Sequence, residues 1–320
     1  MNIKNEKINK RNWSKINYGK TRQILFLLDK NIIFSENERL VSQNKNKPGR
    51  QFIYSDRIIE LLIDLKNYFK FDYRKLQAFC LLFNNVIKIK TPDFTTICRR
   101  MHKLELFLKN IKTKKEPTFI AIDGSGLQTT NRGEWLRLIH KKGKINLRNG
   151  FVKLVIATDV ASGEITGVYI SDDSDFENKS LSDLLYQTIN NQNQEVKGLL
   201  GDGAYDSYDN FDMLDDMGIK PIIKIRKNAI TTEPNDDYLK RRRKLGKKKK
   251  IKRIEVAKKQ LKNVDDWKQK NEYNKRWVVE YTFSVFKRLF GHSVYSKRKK
   301  YVKNEVISKV NLYNKLLNIN

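Results

Sequence analysis

The stretch Asn271–Gly291, NEYNKRWVVEYTFSVFKRLFG, has the periodicity of a helix. At about 100° of turn per residue, Tyr273, Arg276, Glu280 and Lys287 (offsets 0, 3, 7 and 14) fall within about 60° of one another and make one polar stripe. Val278, Val279, Phe283, Phe286, Leu289 and Phe290 fill the arc beside it, wide enough to seat the helix on a core. A carboxylate held on a packed helix between an arginine and a lysine suits metal binding, and the flanking cations suit phosphate. A plain Glu-Arg pair on an amphipathic helix fits this stretch equally well. The rest of the chain has to decide between them.

Across 320 residues, 66 Lys and Arg stand against 36 Asp and Glu, a net charge of +30 that points to a polyanionic partner, nucleic acid before a membrane surface. No segment approaches the roughly 18 apolar residues a membrane span needs. The N-terminal MNIKNEKINKRNW has no signal-peptide apolar core, so the protein is expected in the cytoplasm with no membrane partner. Cys80 and Cys98, the two cysteines, sit in apolar helical patterns and read as buried thiols. His102, His140 and His292 are too scattered for a zinc site, so carboxylates are the donors left for any metal.

Residues 1 to 50 are rich in Lys and Asn and read as a weakly ordered basic arm. A helical domain is expected over 51–112. Ser55 caps one helix, Asp72 a second, and Asp93 a third, DFTTICRRMHKLELFLKNI, whose Arg99, Arg100 and Lys103 suit a helix-turn-helix-like module that grips DNA. A helical bundle with a basic surface is the alternative. The remaining 113–320 has another texture. Thr118–Asp123 (TFIAID) alternates like a strand and ends before Gly-Ser-Gly, where a sharp turn is expected. FVKLVIATD (151–159) and EITGVYI (164–170) are joined by a hairpin signal. A helix over 176–190, a strand VKGLLGD ending at Asp202, a helix from Asp206 and a strand over 219–225 follow. The order describes a mixed sheet covered by helices, closed by an amphipathic helix over 302–319.

Between the last strand and the stripe lies a basic insertion at about 226–270. Eleven of the fifteen residues from Leu239 to Arg253 are Lys or Arg, Arg241, Arg242, Arg243, Lys247 and Lys248 among them, and none is acidic. Such a run reads as solvated or laid against phosphates, not as core.

Asp123 and Asp202 each end a strand, and with Glu280 they supply the three carboxylates that a pair of Mg²⁺ or Mn²⁺ ions requires for phosphodiester transfer. Each aspartate alone is more often a turn former. Asp159, Asp172, Asp173, Asp175 and Asp206 read as turn or cap residues, and Glu255 and Glu272 compete with Glu280 without its stripe. Trp267 or Trp277 is placed either to stack on an extruded base or simply to pack.

The spacing Tyr273, Arg276, Glu280, Lys287 resembles the signature helix of DDE transposases of the insertion-sequence-four and insertion-sequence-five groups. IDGSGL (122–127) resembles that group's first-aspartate strand, FVKLVIATD with ASGEI its second and third strands, and GDGAYD (201–206) its second-aspartate motif. GRQFIYSDRIIELL and PDFTTICRRMHKL resemble its helical DNA-binding part. The resemblance implies a ribonuclease-H-like catalytic domain with Asp123, Asp202 and Glu280 as metal ligands for two Mg²⁺ or Mn²⁺ ions, and Tyr273, Arg276 and Lys287 on DNA. It implies an insertion-sequence transposase that cleaves and joins double-stranded DNA at element ends and target, works as a homodimer on DNA, and lies with the nucleoid of a prokaryote. A ribonuclease-H-like nuclease or resolvase and a catalytically silent DNA-binding relative remain the rivals. Where hairpin-forming relatives carry a β-rich insertion, the lysine-rich 226–270 has little strand pattern.

Overall fold

Strands with β-branched and aliphatic residues on both faces need cover on both sides, and the chain supplies it. A computed structural model describes residues 13–28, 30–87, 91–109, 116–129, 151–172, 180–191, 195–226, 229, 231–232, 236–246, 251–296 and 298–319. The chain divides into two units, one reaching Leu104 and taking up Lys315 onward, the other Glu105–Asn314.

The second unit is built on β1 (Thr118–Gln128), β2 (Phe151–Asp159), β3 (Ile165–Asp172), β4 (Val196–Gly201) and β5 (Lys220–Ile223), in the order β3-β2-β1-β4-β5. The first three are antiparallel, whereas β4 runs parallel to β1 and β5 parallel to β4. Successive residues of a strand face opposite sides. Ile120, Ile122, Val155, Ala157, Leu199 and Ile223 therefore enter one buried cluster, with Leu181, Leu184 and Leu185 of α7 (Leu181–Tyr186), Phe211 and Leu214 of α8 (Tyr208–Asp216) and Ala257 of α10 (Lys252–Lys262). The other face of β1 and β2 is covered by α12 (Trp277–Phe290), which buries Val279, Phe283, Phe286 and Phe290. Each such side chain is worth about 1.5–3 kcal/mol when fully buried. Gly291, at φ +82°, ends the helix in a conformation that other residues avoid.

Several expectations change. β1 runs through Gly124-Ser125-Gly126 to Gln128, because every residue from Ile120 to Gln128 has a partner on β2, and that ladder overrides the turn tendency. The stripe begins as a 3₁₀ turn, Tyr273–Arg276, before α12 proper. The basic insertion is helical in its described parts: α9 (Asp236–Lys244), α10 and α11 (Val264–Lys270). Nor is it all solvated. Ile251, Ile254 and Ala257 are buried, and Gln260 accepts from Ile225 N at 2.6 Å. Asp206 does not cap α8; Ser207 does, accepting from Asn210 N. Asp159 is the turn residue expected, accepting from Ala161 N and Ser162 Oγ. In α13 (Lys299–Leu317), Asn314 holds Ile165 of β3 through both its backbone N and O. The expectations for Asp173 and Asp175 lie outside the described residues.

The first unit is all helix: α1 (Trp13–Leu27), α2 (Lys30–Phe34), α3 (Glu36–Asn44), α4 (Asp56–Phe69), α5 (Tyr73–Ile87) and α6 (Phe94–Lys103). The three caps fall where the sequence puts them. Ser55 accepts from Ile58 N, Asp72 from Lys75 N at 2.8 Å and Asp93 from Thr95 N at 2.8 Å. The described part of the N-terminal segment is not a loose arm, because Leu27 and Ile32 are buried and α1 and α2 pack on α4. Cys80 and Cys98 are free and half-buried, and burial pushes the Cys80 thiol up to about 11. Among the described residues no helix is long and apolar enough to cross a membrane.

Candidate catalytic site

Ala121 of β1, Leu200 of β4 and Ile222 of β5 are registered partners across three neighbouring strands. Asp123 lies two residues on from Ala121 within β1, where it pairs with Ile156 of β2, and Asp202 comes directly after the last residue of β4, with alternation turning Asp123 to the face that α12 covers. Asp123 Oδ1 accepts from Gly124 N, and Asp202 Oδ1 accepts from Ala204 N, both at 2.8 Å. These bonds fix both carboxylates, Asp202 just past the end of β4 and Asp123 within β1, which does not end at this aspartate as the sequence suggests because its ladder with β2 continues to Gln128.

The stripe is laid over this edge. Tyr273 donates its hydroxyl to the Gly201 carbonyl at 3.2 Å, next to Asp202. Arg276 lies 3.6 Å from Asp123 and pairs with Glu280 one turn on. Lys287 donates to Ser125 Oγ at 2.6 Å, two residues past Asp123. Burial works against the Arg276 charge, but Tyr273, Glu280, Asp123 and Asp202 outweigh it and hold the guanidinium above its ordinary range. One cation thus feels all three acids. Burial also pushes the Tyr273 phenol up, keeping it a donor, and pushes the Lys287 ammonium down.

Asp202, Arg276 and Tyr273 line a cleft of about 420 Å³ with Gly203, Lys224, Ile225 and Arg226. Among the described residues, no three His, Cys, Asp or Glu side chains are close enough together to hold a metal ion. Arg276 is the cation among the acids instead. The donor set itself, three carboxylates, is the hard-oxygen type that Mg²⁺ or Mn²⁺ takes.

Other residues singled out by the sequence lie elsewhere. Arg99 and Lys103 are exposed on α6 in the first unit. Arg100 is not on that face: it turns inward to pair with Asp56, donates to the Tyr54 carbonyl and stacks on Phe52, which uses up its fork. Arg243 is exposed on α9. The side chains of Arg241 and Arg242, and all of Lys247 and Lys248, lie outside what is described. Trp267 packs on Tyr273, with ring centroids 5.5 Å apart, whereas Trp277 is 56% exposed beside Tyr281. Arg253, read as the end of a solvated run, is buried in a two-pronged pair with Asp206 at 2.6 and 3.0 Å. Lys224 and Arg226 were not singled out; their signal is a basic residue just past the apolar strand, two after its registered partner.

A five-stranded mixed sheet in this order, flanked by helices, is the architecture of a ribonuclease-H-like domain. Residues 114–315, more than half the chain, match the family model described as a transposase DDE domain, and residues 20–132 match a second model with the same description. The chain belongs to the DDE transposase family, consistent with its insertion-sequence-four and insertion-sequence-five groups. No curated protein matches it.

Proposed function

We propose that this transposase cuts double-stranded DNA at the ends of its own mobile element and joins them to target DNA, with Asp123, Asp202 and Glu280 holding two Mg²⁺ or Mn²⁺ ions. The observation that supports this reading is Arg276, which lies 3.6 Å from Asp123, pairs with Glu280 and lines one cleft with Asp202. Bound there, the ions supply activation of the attacking oxygen and stabilisation of the leaving one.

The chain's own residues prepare for that chemistry. Asp202 is fixed by the Ala204 amide and by Tyr273, which grips the neighbouring Gly201 carbonyl. Arg276 neutralises the acids and keeps N–H groups for a phosphate oxygen, a use for which a planar guanidinium is well shaped. Lys287, anchored at Ser125, adds a second cation on the same edge. Arg99 and Lys103 on α6 add DNA contacts in the helical unit, and the basic insertion adds charge whose effect falls with salt.

Asp123→Asn, Asp202→Asn and Glu280→Gln should each leave the affinity for an element-end duplex within a few-fold and reduce metal-dependent cutting by roughly 10³-fold or more. Gel analysis of end-labelled duplex with target plasmid checks both cutting and joining. Cutting that survives these changes contradicts the reading, and cutting without joined product would make the protein a nuclease.

A further inference from the structure

We propose that Lys224 and Arg226 form a seat for one DNA backbone phosphate beside Asp202, on the side away from Asp123. This rests on the DNA-processing reading above. The last registered pair of β4 and β5 is Gly201 with Ile223, and the residues directly after it, Asp202 and Lys224, line one cleft. Arg276, which lies 3.6 Å from Asp123, lines the same cleft. An anion held at Lys224 is therefore a neighbour of Asp202.

The cleft is made for an anion. Its lining sets one carboxylate, Asp202, against three cations, Lys224, Arg226 and Arg276. Arg276 is engaged by Asp123 and Glu280, but Lys224 and Arg226 are exposed and have no ion pair among the described residues. The cleft volume, about 420 Å³, is within the roughly 300–1,000 Å³ of small-ligand sites.

The seat is also held in place. Arg226 donates from Nε to the Gly203 carbonyl at 3.1 Å, next to Asp202, and from its backbone N to Asp206 at 3.3 Å. Asp206 is fixed in turn by Arg253. Lys224 N donates to the Gly201 carbonyl at 3.2 Å, which ties its backbone to the strand that ends in Asp202. The GDGAYD motif thus does two jobs: Asp202 faces the site, and Asp206 steadies the strand end that carries the cations.

The test measures binding of a labelled duplex, carrying the inverted repeat that flanks the gene, to the full chain in EDTA across a range of NaCl concentrations. Lys224→Gln, Arg226→Gln and the double variant are compared with wild type and with Lys268→Gln, a lysine on α11 that pairs with Asp265. Expected is about a ten-fold loss of affinity in the double variant. Its log-affinity against log-salt slope should be shallower by about 0.9, the share of one phosphate, with Lys268→Gln like wild type. Lys224→Gln, at an exposed position, carries the test if Arg226→Gln loosens the strand end. Variants that match wild type in affinity and slope, while the wild-type protein cuts DNA with Mg²⁺ or Mn²⁺, overturn the seat and leave the function standing. Failure of the wild-type chain to bind or cut the duplex removes both.

Discussion

Two arginines of the catalytic domain meet aspartates in opposite ways. Arg253 grips Asp206 with two prongs, and the two side chains are 9% and 0% exposed. Arg276 touches Asp123 at 3.6 Å and Glu280 separately, with the three side chains 21, 22 and 54% exposed. In the first contact both carboxylate oxygens are engaged and both side chains are buried, so the pair is closed to a ligand. In the second, one cation is spread over several acids, and each keeps lone pairs or N–H groups that substrate can use. Both belong to one network, since Asp206 also steadies Arg226 beside Asp202.

The comparison breaks most visibly on stability. Asp206→Ala strands a buried guanidinium and should destabilise by about 3–5 kcal/mol, lowering Tm by roughly 6–20 °C in thermal unfolding. Arg276→Gln should move stability by no more than about 1 kcal/mol and yet slow metal-dependent cutting by about 10–150-fold, the value of a charge-assisted hydrogen bond to phosphate. Equal thermal losses in the two variants would erase the distinction. Smallest is Tyr273→Phe, which forfeits the bond to Gly201 and should cost about 1 kcal/mol. Because burial raises the phenol above its ordinary value of 10.0, that stability gap should be full below pH 10 and shrink as pH rises through the elevated value. Denaturant melts at pH 8 and at pH 10.5 check the sign.

What could be read from sequence follows the range of the interactions. The stripe on α12, the caps Ser55, Asp72 and Asp93, and the β2–β3 hairpin are local, set by periodicity and by residues three or four apart. Asp206 was misread as a cap because its real partner, Arg253, lies 47 residues on, hidden in a run of like charges. Arg100 was misread for the same reason, its partner Asp56 lying 44 residues back. β1 was expected to turn at Gly-Ser-Gly, and only the ladder with β2 carries it through. That Asp202 and Lys224 line one cleft depends on the pairing of β4 with β5, a long-range contact with no local signal.

Direct ligation of a divalent ion by Asp123 and Asp202 is tested most sharply by replacing each with cysteine and assaying element-end cutting in Mg²⁺ and in Mn²⁺. Thiolate suits the softer Mn²⁺ better than Mg²⁺, so cutting should vanish in Mg²⁺ and return in part with Mn²⁺ for both Asp123→Cys and Asp202→Cys. Activity in Mg²⁺ at the wild-type rate in either variant would contradict the assignment of these two acids to the metal.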